Sequence, residues 1–463
     1  RVLALNHDPS VGHGILGIRV FVIGHLGDPM RVRFAEDGRL VFKVATPHDG
    51  FPGKASQRPQ KVTTFEPSST LRALDQQPVR VTQIPSVGDW VSDDHGRRLE
   101  LTQVLGTGGE GTVFLTSTRQ ACKVYSSGML PGYMVEKLAL MAARPIHHRS
   151  VCWPQSVAFN AIGEPIGYLM RRAQGVELKR GVFIRPLLEQ YFPEWDRSHL
   201  VQLTRTILSA FERIHRLNVL IGDINARNIL IKSAREVFLV DCDSYQLAGY
   251  PCPVGVSPYL APELYGKSLR STLRRIDSEN FSVATLVFML IHPGKPPYSH
   301  QGGGDPSLNV KKRHFPYPLG EKHGDSVPGG VWRYMWSHLP YYMKQSFHRV
   351  FVDDDRLSLN DWRGLIRRYS GDLAKGYVSK EIYPSGFKEL NREQAEALGW
   401  EWKTCRACQR EFGTNHSHHS LCKACFRALN TTGDELSATS KPESPAAEPE
   451  QQVTPAPLPR PSW

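Results

Sequence analysis

The stretch Val219-Leu220-Ile221-Gly222-Asp223-Ile224-Asn225-Ala226-Arg227-Asn228-Ile229-Leu230, followed by Val237-Phe238-Leu239-Val240-Asp241-Cys242-Asp243-Ser244, decides how this chain is read. In both segments short apolar runs bracket polar residues, the pattern of strands that hold a loop rigidly while leaving its side chains accessible. Any one of these Asp or Asn residues is an ordinary turn former. The ordered set is not, because phosphoryl transfer needs an acceptor for a hydroxyl proton and oxygen ligands for Mg²⁺. Asp223 suits the first role, and Asn228 with Asp241 the second.

Upstream, Leu105-Gly106-Thr107-Gly108-Gly109-Glu110-Gly111-Thr112-Val113 is a GxGxxGxV pattern between two expected strands. Glycines let a hairpin backbone approach phosphates, and their amides can donate to the oxygens. A strand follows the loop, which disfavours a dinucleotide fold, and no Gly-Lys-Ser/Thr closes it, which disfavours a P-loop. Lys123, in the strand Ala121-Cys122-Lys123-Val124, has the bland reading of a snorkelling edge residue. Glu136 follows on the expected inner face of a helix, with Leu140 one turn later, and the pair is suited to positioning nucleotide phosphates.

From Leu99 to Tyr369 the chain resembles the eukaryotic-type protein kinase superfamily, and within it the divergent bacterial kinases with a G-D-I-N-x-x-N catalytic loop. The resemblance implies an α+β, two-lobed fold with a β-rich N-lobe and a helical C-lobe. It makes Gly106, Gly108 and Gly111 the phosphate-covering loop, Lys123 the ligand of the α- and β-phosphates, and Glu136 its partner. It makes Asp223 the catalytic base, Asn228 and Asp241 the Mg²⁺ or Mn²⁺ ligands, and Val113 and Ala121 the residues that sandwich adenine. Ala261-Pro262-Glu263 would end the activation segment, with Arg356 paired to Glu263. ATP, Mg²⁺ and a protein substrate follow from the same resemblance.

The chain departs from the family pattern at several points. Ile221-Gly222 stands where His-Arg is usual, so activity should not need activation-loop phosphorylation. Asn225 replaces a lysine, and Arg227 is expected to supply charge instead. Asp241-Cys242-Asp243 lacks the usual glycine and sets a second carboxylate beside the metal. The helix F aspartate corresponds to Glu279 or, out of register, Asp277. The Gly-Asp-x-x-x-x-Asn loop also resembles aminoglycoside and choline kinases, but the segment from Gly255 to Glu263 with Arg356 favours a peptide platform and a Ser/Thr-type protein kinase. A nucleotide-binding pseudokinase scaffold is the third reading, opposed by the retained Lys123, Glu136, Asp223, Asn228 and Asp241.

Downstream, Cys405-x₂-Cys408-x₁₃-Cys422-x₂-Cys425 has zinc-ribbon spacing. Four thiolates close the Zn²⁺ shell, so the site is structural, either a stability clip or a platform for protein or nucleic-acid contact, although His416, His418 and His419 lie nearby. In so short a segment the metal would supply most of the folding free energy, on the order of 10 kcal/mol.

Composition frames the rest. The 463 residues carry 57 Lys plus Arg against 45 Asp plus Glu, a formal charge of +12, with 40% hydrophobic and 22% charged residues. This excludes a mostly disordered chain, a coiled coil and a low-complexity fibre. The longest apolar run, Phe281 to Ile291, is far short of the about 20 residues of a membrane span. Without an apolar leader at Arg1, and with the other four cysteines scattered, the expectation is a cytoplasmic protein. Five regions are expected: a small β-rich or poorly ordered unit at 1–90, the kinase domain at 91–370, a connector at 371–404, the zinc ribbon at 405–428 and a disordered Pro-rich tail at 429–463. Oligomeric state is left open.

Overall fold

The computed structural model describes residues 32–34, 40–42, 64–72, 77–319, 326–388, 396, 399–414, 417–422, 425–426 and 429. Strands β1 (Val32–Phe34) and β2 (Leu40–Phe42) pair antiparallel, with Val32 opposite Phe42. They flank the expected Glu36-Asp37-Gly38 turn; that turn, the alternation at Ile18 to Ile23 and the tail from Thr431 lie outside the described residues.

Strand-forming segments come next: β3 (Val79–Arg80), β4 (Trp90–Asp93), β5 (Arg98–Thr107), β6 (Gly111–Thr116), β7 (Ala121–Tyr125) and β8 (Met129–Leu130). Helix α1 (Gly132–Ala142) precedes β9 (Pro154–Phe159) and β10 (Pro165–Met170). Six of these strands close a barrel in the order β10-β7-β6-β5-β4-β9. Alternation drives β5, whose Leu99 and Leu101 are buried between exposed or half-buried neighbours, whereas all five residues of β7 are buried. The strand carrying Lys123 is therefore central, not an edge.

The helical portion contains β11 (Val176–Glu177), α2 (Leu178–Gly181), α3 (Arg185–Tyr191), α4 (Arg197–His215), β12 (Ile229–Ser233), β13 (Glu236–Leu239), α5 (Ile276–Ile291), α6 (Pro306–Lys311), α7 (Val331–His338), α8 (Tyr341–Phe351) and α9 (Leu359–Ala374). Capping boxes start α4 at Asp196 and α9 at Ser358. Helix α5 starts five residues before its apolar run, because Ser278, Glu279 and Asn280 are buried polar residues with hydrogen-bond partners. The mixed α+β architecture, strands first and helices later, is as expected.

Two domain boundaries move. Residues 64–72 are not a loose extension: Phe65 is 1% exposed, its N–H donates to Leu217 O at 3.0 Å and its ring packs on Trp153. At the other end, residues up to Phe387 belong to the first compact unit. The buried Arg197 guanidinium donates to Glu381 O and Ile382 O, holding what the sequence reading makes a connector. The second unit, from Lys388, contains the hairpin of β14 (Glu401–Thr404) and β15 (Glu411–Thr414). Among the described residues, no helix is long and apolar enough to cross a membrane.

Candidate active site

The loop from α4 to β12 is fixed from below by Glu279. Its carboxylate accepts the Ile221 and Gly222 amides at 2.7 and 2.9 Å and lies 3.0 Å from His215 Nε2. Burial opposes ionisation of Glu279, but His215 and the two amides outweigh it and hold the carboxyl below its ordinary value. Of the two positions weighed from sequence, Glu279 occupies this anchor. Gly222 has φ +71°, and a Cβ there would meet Cys252 Cβ at 2.5 Å, so the position admits only glycine. The buried Arg274 guanidinium donates to the carbonyls of Gly222 and Val254, tying the loop to the segment around Val254.

Asp223 is held on one side only. Its Oδ2 accepts from Asn225 Nδ2 at 2.8 Å and Asn228 Nδ2 at 3.0 Å, while Oδ1 is buried with no hydrogen-bond partner. Burial raises the Asp223 pKa, against the pull of the two amides. The result is an oriented carboxylate with one oxygen left to accept a proton. Asn225, also accepting the Arg227 N–H at 2.9 Å, is a buried brace for the loop. Arg227 itself is exposed and makes no side-chain hydrogen bond or ion pair among the described residues.

Lys123 lies at the centre of a carboxylate cluster different from the expected one. Its Nζ lies 2.9 Å from Asp243 Oδ2, 3.0 Å from Asp241 Oδ1 and 3.3 Å from Glu110 Oε2. Burial works against the ammonium, but these three carboxylates raise its pKa above the ordinary value. The expected Lys123–Glu136 pair is not formed. Glu136 faces outward, 2.7 Å from Arg72 Nη1 of the 64–72 segment, which also donates to the Tyr250 hydroxyl. The helix phase explains the correction: Leu138 and Met141 turn inward on α1, carrying Lys137 with them, so Glu136 falls on the other side. Lys137 is fully buried and donates to Asp243 O at 2.6 Å. Burial brings its pKa down to about 8.

Asp243 therefore supplies the carboxylate that Glu136 does not. It is 1% exposed and accepts from Tyr125 OH at 2.7 Å and Tyr168 OH at 2.8 Å besides Lys123. Burial pushes its pKa up, but the Lys123 charge and the two hydroxyls bring it below the ordinary carboxylate value. It is thus engaged by protein donors, in place of the expected second carboxylate open to a metal. Asp241, side chain 48% exposed, has φ +57°, with its carbonyl accepting Ser244 Oγ at 2.8 Å. Tyr125 lies two residues from Lys123 and so shares its face of β7, a signal that period-two reading offers. Tyr168 sits directly opposite Lys123 across the sheet, which only the register reveals.

Over this cluster runs the β5–β6 hairpin, with Gly106 paired to Val113 and Thr107 to Thr112. At Gly111 a Cβ would lie 2.2 Å from Val124 O, so close strand approach demands glycine; around Gly106 the space is open, and at Gly108 a Cβ would meet only Gly111 O, at 4.0 Å. Val113, Leu230 and Val240 are half-buried against the apolar cluster that contains Ala121, giving an apolar wall beside the polar site. Leu230 and Val240 lie in the segments quoted first, but no sequence argument singled them out for this wall. Beyond Asp241, Glu263 pairs with Arg356 at 2.9 Å and accepts from Ser278 Oγ at 2.7 Å, the pairing expected of Ala261-Pro262-Glu263.

In the second unit, the Sγ atoms of Cys405, Cys408, Cys422 and Cys425 all lie within 4.8 Å of one another. The Cys408–Cys422 separation of 3.7 Å matches the roughly 3.8 Å edge of a tetrahedron with Zn–S bonds of about 2.3 Å. None of the four is in a disulfide. The Cys422 amide donates to Cys405 Sγ at 3.2 Å, and this and neighbouring amides bring that thiol down to about 6. The donor set fits Zn²⁺. Of the histidines, His419 turns to Thr414 Oγ1 at 2.9 Å, and His416 lies outside the described residues.

No protein-family model matches the chain. It is 30% identical over 314 residues to the protein named protein kinase YegI of Escherichia coli K12, covering 63% of this chain and 48% of that protein. The O157:H7 protein of the same name is 30% identical over 207 residues, covering 42% and 32%. A probable serine/threonine-protein kinase zyg-1 of Caenorhabditis briggsae is 25% identical over 224 residues, covering 46% and 29%. These likenesses support a protein kinase. The chain spans at most about half the length of the relatives it matches.

Proposed function

We propose that the chain transfers the γ-phosphoryl group of Mg·ATP to Ser or Thr hydroxyls of protein substrates. The observation that carries this reading is the unpaired, buried Oδ1 of Asp223 beside two amide braces, with Lys123 and Asp241 in contact nearby. Asp223 accepts the hydroxyl proton; Lys123 draws the α- and β-phosphates; the amides of the Gly106, Gly108 and Gly111 loop cover them; and Val113 with Ala121 flanks the base. Asn228 and Asp241 suit a hard divalent cation, Mg²⁺ or Mn²⁺, because one is an amide oxygen and the other a half-exposed carboxylate. Bound there, the ion offsets charge on the transferring phosphate. Arg227, exposed at the loop, supplies positive charge toward the incoming substrate.

Activation-loop phosphorylation is not required, because Arg274 already ties Gly222 to Val254 without a phosphate. The zinc module is structural and presents a surface to a protein or nucleic-acid partner. The small-molecule phosphotransferase reading is opposed by the buttressed Glu263–Arg356 platform, and the scaffold reading by the assembled Lys123 cluster. The test is labelled-phosphate transfer from ATP to protein, aminoglycoside and choline acceptors. Label in protein Ser/Thr is expected; label in the small molecules alone, or in none while nucleotide binds, refutes the reading.

A further inference from the structure

On the helical portion, a cavity of about 310 Å³ opens between the turn after α1, α4, the β12–β13 turn and α9. None of its walls belongs to the Asp223 loop, the glycine hairpin or the Lys123 cluster. Five arginines line it: Arg149, Arg205, Arg235, Arg363 and Arg367. Only Arg363 has an acidic partner, Glu212; the other four are exposed and make no ion pair among the described residues. On α4, Gln202, Arg205 and Ser209 follow one face at helical spacing, and Arg363 with Arg367 are one turn apart on α9, a like-charge pair that disfavours an isolated helix. His148, also in the wall, has its pKa lowered by burial and then by Arg213 and Arg149.

The chemistry of the lining selects its ligand. Every cation is an arginine, whose planar fork matches phosphate bidentately, whereas a merely solvated basic face would serve as well with lysine. Gln202 and Ser209 add neutral donors. Apart from His148 no ring lines the cavity, so it offers no stacking platform for unpaired bases. The shape is a concave socket at the small end of ligand sites. We propose that this socket is a recognition site for a phosphorylated protein segment, seating a phosphoserine or phosphothreonine between α4 and α9. Its role is to recruit partners that already carry phosphate, separately from the transfer site.

The test is fluorescence anisotropy on the full chain with three probes: a labelled phosphoserine peptide, the same peptide with serine, and a single-stranded oligonucleotide. The phosphopeptide should bind at least tenfold more tightly than the serine peptide. The pair Arg205→Ala with Arg367→Ala should weaken it at least tenfold without lowering the thermal midpoint, while Asp223→Asn binds it as wild type does. The pair Arg205→Lys with Arg367→Lys, which keeps charge and loses the fork, should fall between. Equal binding of both peptides, loss in Asp223→Asn but not in the arginine variants, or tighter binding of the oligonucleotide would overturn the proposal. These outcomes are independent of whether ATP turns over.

Discussion

Asp243 and Glu136 make opposite claims on Lys123, and substituting each separates them. Asp243→Ala removes a fully buried carboxylate from Lys123, Tyr125 and Tyr168. Breaking a buried ion pair from one side costs about 3–5 kcal/mol, because the remaining charge is left uncompensated. Here Asp241 and Glu110 still face Lys123, so the lower end, about 3 kcal/mol, is expected. At roughly 2–4 °C per kcal/mol for a large domain, the thermal midpoint should fall by about 6–12 °C. Glu136→Ala breaks a half-exposed pair with Arg72, worth at most about 1 kcal/mol, and no contact with Lys123, so it should move the midpoint by about 4 °C or less. Because the folded-state pKa of Asp243 lies below its ordinary value, its stabilisation is present above about pH 4 and is lost as pH falls further. Asp243→Asn should lack that acid-side loss. Scanning calorimetry or thermal melts at pH 7 and, below the ordinary carboxylate range, at about pH 2 decide the matter. If Glu136→Ala is as costly as Asp243→Ala, or Asp243→Ala is silent, the assignment of Lys123's partner is wrong.

Lys137, with its pKa brought down to about 8 by burial, carries a cost that is present below pH 8 and relieved as pH rises toward 10.5. Lys137→Met should therefore look more favourable at pH 7 than at pH 9.5, by about 2 kcal/mol in urea melts. Glu279→Ala strands two loop amides and should cost about 3 kcal/mol in the same melts, with phosphate transfer lost before the fold is. Metal analysis should find one zinc per chain, with Cys408→Ser lowering the zinc content and a strong chelator abolishing the chemical-shift dispersion of the β14–β15 hairpin; metal-free protein with a folded hairpin would remove the site.

The strand-forming stretches around Lys123 were legible because alternation and glycine punctuation are local signals, and β7, Ala121 to Tyr125, contains the strand read around Lys123. The Asp223 loop was legible in part for the same reason: its downstream bracket forms β12 and the run before Asp241 forms β13, whereas Val219 to Ile221 makes only an isolated bridge from Leu220 to Gln246. Glu136 was misplaced by one helical step, since apolar residues at Leu138, Leu140 and Met141 support two phases and only packing on β9 chooses between them. Asp243, Tyr168 and Arg274 act through contacts between distant segments, which no local pattern encodes. The start of α5 was hidden because its first turn buries Ser278, Glu279 and Asn280, polar residues whose partners lie elsewhere in the chain. Phe65 shows the same limit: one aromatic between Thr64 and Glu66, in a stretch of polar residues and prolines, gives no sign that it enters the helical core.

The most direct measurement is phosphate transfer from Mg·ATP to a protein acceptor by wild type and by Asp223→Asn, with nucleotide affinity measured on both. The account predicts transfer by wild type, a loss of about 10²–10⁴-fold in the variant, and unchanged ATP binding. Equal transfer by the two proteins, or none by a wild-type chain that binds Mg·ATP, would contradict it.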